Sequence, residues 1–185
     1  MPTAPTLPDL IRKNLDVVFV GINPSVYSVE QGHYFARKTN RFWPGFSRSK
    51  LSLAARSKLG VAALTPAHDR ALLDCGFGFT DVAKRATARA SDLPRKEFES
   101  GLGELDEKLA KFAPRIACFH GVTGYAHVHR AMTGSRETPT LGAQNISIGP
   151  TKFFVVPNPS GANAHFTPAN QTEWYDRLHE YLSGL

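Results

Sequence analysis

Residues 17–25 read Val17-Val18-Phe19-Val20-Gly21-Ile22-Asn23-Pro24-Ser25, an apolar run that leads directly into a polar turn. The apolar residues are continuous rather than alternating, which is typical of a strand covered on both faces. In the turn, glycine permits close backbone approach, proline removes a donor, and asparagine carries both a donor and an acceptor. The stretch therefore predicts a buried strand that ends in a loop able to contact a ligand. The same residue types also suit a plain turn, so the loop alone allows either interpretation.

Similar apolar runs occur at 76–79, 116–119 and 153–156. Between the runs we predict helices over 65–74 and 94–112, and a last helix over 168–182. The helix over 94–112 has one apolar face, because its apolar residues recur at steps of three and four. Strands that alternate with helices predict a parallel sheet with helices on both faces. With no repeat, low-complexity tract or linker in the sequence, we predict one α/β domain over residues 1–185.

The fourth apolar run leads into a second loop of the same kind, Pro157-Asn158-Pro159-Ser160-Gly161. The carboxyl ends of parallel strands meet at one edge of a sheet, where ligands bind. Two Asn-Pro-Ser loops at that edge are far more specific for a binding cleft than either loop alone. The sequence therefore predicts that Asn23 and Asn158 face a shared cleft.

Aromatic and basic residues are interleaved between Gly32 and Trp43. This mixture suits stacking on a nucleobase and contact with phosphate, and Arg37 and Lys38 are the candidate phosphate ligands. For Phe42 and Trp43 we favour a helix start that packs into the core, since large aromatic side chains are mostly buried. Phe35 has no partner at helical spacing, so it is the better candidate for stacking.

The composition limits the classes of function. The chain of 185 residues carries a formal net charge of +6, and this basic balance favours a polyanionic partner without proving one. No apolar run is long enough to span a membrane, and residues 1–13 lack the pattern of a secretory signal, so we expect a cytoplasmic protein. Two cysteines and seven scattered histidines form no metal-ligand spacing, and we predict neither a metal nor another cofactor.

Taken together, these segments resemble the mismatch-specific uracil and thymine DNA glycosylase family. The resemblance covers 17–43, 78–98 and 153–165, and its motifs are Gly-Ile-Asn-Pro, Asn-Arg-Phe-Trp and Asn-Pro-Ser-Gly. It implies a three-layer α/β/α sandwich around a four-stranded parallel sheet. It also implies an enzyme that acts on duplex DNA with U·G or T·G mispairs. The sequence suggests neither a covalent intermediate nor a second interface, so we expect a monofunctional monomer that leaves an abasic site with the strand intact.

The resemblance also implies roles for individual residues. Asn23 would position the hydrolytic water, and Phe35 would stack on the extruded base. The first loop would hydrogen-bond the base edge through its backbone around Ile22 and Ser25. Base binding would further involve Asp81 and Asn158, and the loop that enters the minor groove would present Ser160, Gly161, Ala162, Asn163 and His165.

Three positions depart from the family pattern. Ser25 stands where glycine is usual, which would alter the approach to the base. Ala162 stands where a larger wedge residue is common, so Asn163 or His165 would fill the gap left by the flipped base. Asp81 stands where other members carry an amide or a lysine, and a carboxylate there would change which bases are accepted.

The first loop contains no general base. Asn23 can orient a water molecule but cannot take its proton, and a positioned base contributes about 10²–10⁴-fold. Asp92 is the first candidate, because it lies in a segment that resembles the family's approach to the long helix, and Asp81 is the second. Asp92 also precedes Pro94 and suits a helix N-cap, which is the commoner role, so both interpretations stay open.

Two other classes of function compete with this one. A nucleotide- or cofactor-binding α/β enzyme fits the predicted sheet, but the sequence lacks both G-x-G-x-x-G and G-x-x-x-x-G-K-[ST]. A DNA-binding module without catalysis would fit the missing base in the first loop.

Overall fold

A five-stranded sheet forms the centre of the protein, whose computed structural model describes residues 6–185. Its order is β2-β1-β3-β5-β4, and β2, β1, β3 and β5 run parallel. These four parallel strands correspond to the four apolar runs, so the predicted α/β class is confirmed. The strands span Val17–Gly21 (β1), Phe77–Asp81 (β2), Ile116–His120 (β3), Gly142–Ile148 (β4) and Thr151–Val156 (β5).

The fifth strand corrects the predicted strand count. β4 pairs antiparallel with β5 at the edge of the sheet. Its residues alternate between half-buried and exposed, because only one face of this strand is covered. Such a strand contains no continuous apolar run, which is why only four strands were predicted from the sequence.

Helices cover both faces of the sheet and give three layers, α/β/α. On one face, Phe19 and Phe79 pack against Phe42 and Tyr175 in the first core. On the other face, the second core combines strand residues with side chains from the two longer helices of that layer. The helices span Val26–Gln31 (α1), Phe42–Arg48 (α2), Leu53–Leu59 (α3), Arg95–Phe112 (α4), Val122–Thr133 (α5) and Pro168–Ser183 (α6).

Two of the three predicted helices are confirmed as α4 and α6, and the third prediction is wrong. Residues 65–74 contain two short 3-10 turns, Pro66–His68 and Ala71–Cys75. Asp69 lies between them, and its carboxylate accepts hydrogen bonds from the backbone N–H groups of Tyr34 (3.1 Å) and Arg70 (2.7 Å). It also lies 3.1 Å from the His33 ring. These tertiary contacts tie the segment to residues 33–34 and interrupt the helix.

Candidate active site

The loops that follow β1, β3 and β5 form one continuous edge. β3 lies between β1 and β5, so the carboxyl ends of these three strands are neighbours. A Cβ placed on Gly124 would lie 2.9 Å from the Ile22 side chain, and one on Gly121 would lie 3.0 Å from Cβ of Asn158. The two Asn-Pro-Ser loops therefore reach the same site from either side of the residues that follow β3. We call this edge the rim.

Asn23 on the rim is held by the segment that follows β2. Its Nδ2 donates to the carbonyl oxygen of Arg85 (2.8 Å) and to Oγ1 of Thr87 (2.7 Å). The Thr87 hydroxyl donates its own proton to the Arg89 carbonyl (2.6 Å), so towards Asn23 it can only accept. The amide nitrogen of Asn23 must therefore face this segment, and among residues 6–185 no donor binds its Oδ1. That oxygen is available to orient a water molecule.

Phe35 is half-buried next to the rim. Its ring stacks on Phe42 (centroids 4.3 Å apart, planes 16° apart) and meets the His120 ring edge-on at 5.1 Å. Its backbone has a φ of 52°, in the left-handed region that bulky residues rarely adopt. Such conformations persist where the surrounding structure enforces them and are concentrated at functional sites. The core thus fixes the position of the ring beside the rim.

Asp81, the last residue of β2, places a buried carboxyl beside β1. A Cβ on its partner Gly21 would lie 2.3 Å from Oδ1 of Asp81, so only glycine leaves room for the carboxyl there. Its Oδ2 is buried and has no hydrogen-bond partner among the described residues. Burial raises the pKa of Asp81 to about 7, against the opposing effect of Lys84. An acid with this pKa exchanges protons near neutral pH, as a general base must.

A charged cluster that the sequence did not reveal lies near Asp81. Asp9 accepts hydrogen bonds from Lys84 (2.7 Å), Lys108 (2.8 Å) and the Thr80 hydroxyl (2.7 Å). Burial alone would raise the pKa of Asp9, but the hydrogen bonds from the two lysines outweigh it and hold the pKa below its usual value. Two ammonium groups thus share one carboxylate, and the excess positive charge favours the ionised form of Asp81.

His120, at the end of β3, is a rim residue that sequence reasoning missed. Its Nε2 lies 3.0 Å from the hydroxyl of the fully buried Tyr175. Burial lowers the pKa of His120 to about 3, so the ring is neutral at physiological pH. The only signal in the sequence was its place directly after an apolar strand.

Asp92 forms no hydrogen bond with Asn23. It is exposed, and its carboxylate accepts the backbone N–H of Arg89 (3.0 Å), which closes the 3-10 turn Ala90–Asp92. This geometry favours the capping interpretation, although the capped element is this turn, and Pro94 occupies the N-cap of α4. Asp92 is linked to Asn23 only indirectly, through Arg89 and Thr87.

Ser25 and the exposed cations also have defined positions. Ser25 is the N-cap of α1, and its hydroxyl accepts the backbone N–H of Ser28 at 3.1 Å. The serine therefore uses its side chain locally and contributes only its backbone to the rim. Arg37 and Lys38 are exposed, and the guanidinium of Arg37 lies 5.5 Å from the ring centroid of Tyr27.

The second loop is held by its own asparagines and by Arg41. Asn158 Oδ1 accepts the backbone N–H of Ser160 (3.0 Å), and Asn163 Nδ2 donates to the Asn158 carbonyl (3.0 Å). Arg41, which sequence reasoning missed, donates to the carbonyls of Asn163 (2.7 Å) and Phe166. These bonds fix the base of the loop. The exposed residues at its surface include Gly161, Ala162 and His165.

Within residues 6–185, no three His, Cys, Asp or Glu side chains gather as metal ligands. In the same part of the chain, no helix combines the length and the apolar character that a membrane crossing requires.

Comparison with known proteins agrees with this geometry. The profile of the Uracil DNA glycosylase superfamily matches residues 8–182. The chain is 30% identical over 180 residues to a G/U mismatch-specific uracil DNA glycosylase of Schizosaccharomyces pombe, and the match covers 96% of this chain and 54% of that relative. The chain thus spans about half the length of the curated relative. Because the profile match includes all the parallel strands and both rim loops, this chain belongs to the uracil DNA glycosylase superfamily.

Proposed function

We propose that the protein is a monofunctional DNA glycosylase that flips uracil out of mispaired duplex DNA and hydrolyses its N-glycosidic bond. The observation that carries the proposal is the orientation of the Asn23 amide. Its nitrogen is held by Arg85 and Thr87, so its Oδ1 is left for a water molecule. Family membership and the activity for which the relative is named support uracil as the base. Thymine and other damaged pyrimidines are further candidate substrates.

The reaction begins with extrusion of the base. Flipping costs about a few kcal/mol, and the cost is lowest for a mispaired base. Mispaired uracil is therefore favoured even without hydrogen bonds that recognise the base. Phe35 would stack on the extruded ring, and Asn158 would contact the base from the opposite loop. As the bond breaks, negative charge develops on the base, and backbone N–H groups around Ile22 and Ser25 would stabilise it.

The second loop would stabilise the flipped state. Residues 160–165 would enter the minor groove and fill the space that the base leaves. Ala162 is small, so Asn163 and His165 remain the candidates for this role. Arg37 and Lys38 would contact phosphate. The monomeric state and the cytoplasmic location stay predictions.

Asp81 fits the role of general base better than Asp92. The Asp81 carboxyl lies over Gly21, two residues before Asn23, with one unbonded oxygen and a pKa of about 7. The Asp92 carboxylate is exposed and engaged with Arg89. We therefore propose that Asp81 accepts the proton of the water that Asn23 orients.

The test of the proposed function uses purified protein and duplexes that contain U·G, T·G or U·A. After alkali treatment we expect strand cleavage for U·G above U·A, and without alkali we expect intact strands. A protein that binds these duplexes but yields no alkali-sensitive site would be a DNA-binding module. Strand nicking without alkali would exclude a monofunctional mechanism.

We expect Asp92→Asn to leave the single-turnover rate on U·G DNA within about twofold of wild type. Asparagine keeps an acceptor for the Arg89 N–H, so the turn persists while the negative charge is lost. A rate loss of about 10² or more in the correctly folded variant would instead assign the general base to Asp92.

We expect Thr87→Val to lower the single-turnover rate about tenfold, since it removes one of the two acceptors that orient the Asn23 amide. Thr87→Ser, which keeps the hydroxyl, should recover most of the rate. The affinity for DNA with an abasic site should change little in both variants. An equal loss in the valine and serine variants would argue against orientation through the hydroxyl.

A further inference from the structure

A second concave surface lies next to the rim. It is a cleft of about 680 Å³ between residues 27–48 and 62–67, and Phe35 lines it. The same Phe35 ring contacts His120 on the rim, so a single side chain borders both surfaces. A cleft of this volume is within the range of about 300–1,000 Å³ that is usual for small-ligand sites.

The charge of this cleft is positive and uncompensated. Arg37, Lys38 and Arg48 line it, all three are exposed, and the lining contains no Asp or Glu. None of the three forms an ion pair with a carboxylate in the part of the chain that the structure describes. The cleft is therefore complementary to an anion.

The remaining lining is largely apolar and partly aromatic. Phe35 contributes to its wall, together with the largely buried Leu64 and Trp43. Arg37 lies over the Tyr27 ring, and this cation–π contact holds its guanidinium at the cleft. Aromatic walls beside cations are the features with which proteins bind unpaired nucleotides.

The cleft is also connected to the loop that would enter the minor groove. The backbone N–H of Arg41 donates to the Pro159 carbonyl at 2.8 Å. A Cβ on Gly161 would lie 2.7 Å from the Thr39 carbonyl, so the two loops are in close contact there. A DNA strand leaving the second loop would therefore meet residues 37–41 and then the cleft.

We propose that this cleft binds one unpaired nucleotide of the lesion strand, adjacent to the flipped one. Its base lies against the apolar wall, and its phosphate contacts Arg37 and Arg48. The proposal rests on the proposed function, because it takes the DNA substrate as the source of the nucleotide. It implies that the protein opens the lesion strand beyond the flipped base.

The test measures the affinity for duplexes that carry a stable abasic-site analogue. The lesion strand is shortened from each end in turn, to one nucleotide beyond the lesion and then to none. Arg48→Ala removes one cleft cation. Its control is Arg130→Ala, an exposed arginine in the last turn of α5 that does not line the cleft.

On long duplexes we expect Arg48→Ala to weaken binding about tenfold and to reduce the salt slope by about 0.7, as loss of one single-strand phosphate contact does. Shortening the strand on the side of the cleft should weaken wild-type binding until it matches that of the variant. Arg130→Ala should behave like wild type at every length.

An equal effect of Arg48→Ala at all lengths, no effect at any length, or an equal effect of Arg130→Ala would overturn the cleft proposal. These outcomes are independent of the glycosylase assay, since the analogue cannot be cleaved. Length-dependent binding without uracil release would contradict the proposed function and leave the cleft site in place. Uracil release without length-dependent binding would contradict the cleft proposal and leave the proposed function in place.

Discussion

Asn23→Ala should slow the single-turnover release of uracil from a U·G mispair by about 10²–10³-fold. The substitution removes the side-chain oxygen that would orient the water, Oδ1 of an amide fixed by Arg85 and Thr87. The affinity for abasic-site DNA should stay within a few-fold of wild type, because the hydrogen bonds of Asn23 are internal. The substitution should therefore lower the rate of uracil release and leave the affinity for DNA almost unchanged.

The matched control is Asn145→Ala on the exposed edge strand β4, which should retain the wild-type rate. Asn23→Gln tests position, since it keeps the amide but displaces it by one methylene. We expect glutamine to rescue little. If Asn23→Ala released uracil within twofold of the wild-type rate, the proposed arrangement of the water would be wrong.

Asp81→Asn should produce the second large effect, a rate loss of about 10²-fold or more at pH 8. A general base acts in its ionised form, so the wild-type rate should rise as the pH passes about 7 and then level off. The variant should have a low rate that does not change across this window. If Asp81 instead donated a hydrogen bond to the base, the wild-type rate would fall over the same window.

The same substitution should stabilise the fold above neutral pH. Burial raises the pKa of Asp81 from 3.8 to about 7, so the folded state holds this proton more tightly than the unfolded state does. The protonated Asp81 carboxyl contributes to the free energy of unfolding fully below pH 3.8. This contribution is lost as the pH rises through about 7, and it amounts to about 1.4 kcal/mol per pKa unit. Asparagine does not ionise, so at pH 8 the variant should have a Tm higher by about 10 °C or more.

Thermal unfolding from pH 4 to pH 8 checks this result. The two proteins should unfold at similar temperatures at pH 4 and diverge as the pH rises. Asp106→Asn, at an exposed site on α4, is the control and should show no such divergence. A variant that is slower and also more stable would mark Asp81 as a residue retained for activity at a cost in stability. Lower stability at pH 8 would contradict the assigned burial cost.

The continuous apolar runs were enough to predict the parallel strands. A strand covered on both faces needs apolar residues at consecutive positions. This requirement is visible in the linear sequence at Val17–Val20 and Phe153–Val156. The edge strand β4 has one exposed face and a mixed composition, so nothing local marks it. Residues 65–74 failed as a helix because Asp69 bonds to a segment more than 30 residues away.

The candidate site divides in the same way. Asn23, Phe35 and Asn158 follow from local motifs and from the rule that parallel strands present their carboxyl ends together. The choice between Asp81 and Asp92 required the tertiary structure, because the sequence, which placed Asp92 first, does not show which carboxyl is buried. One is buried over Gly21 with an unbonded oxygen, and the other is exposed and bonded to Arg89.

The family, the layered architecture and the two rim loops were predictable from the sequence, since each depends on motifs and apolar runs of residues close together in the chain. The desolvation of particular side chains, the orientation of Asn23 by Thr87 and the lining of one cleft by cations at 37, 38 and 48 became visible only in the folded structure. Burial and hydrogen bonding depend on neighbours that are distant in the chain, and these set both the pKa of a carboxyl and the direction of an amide.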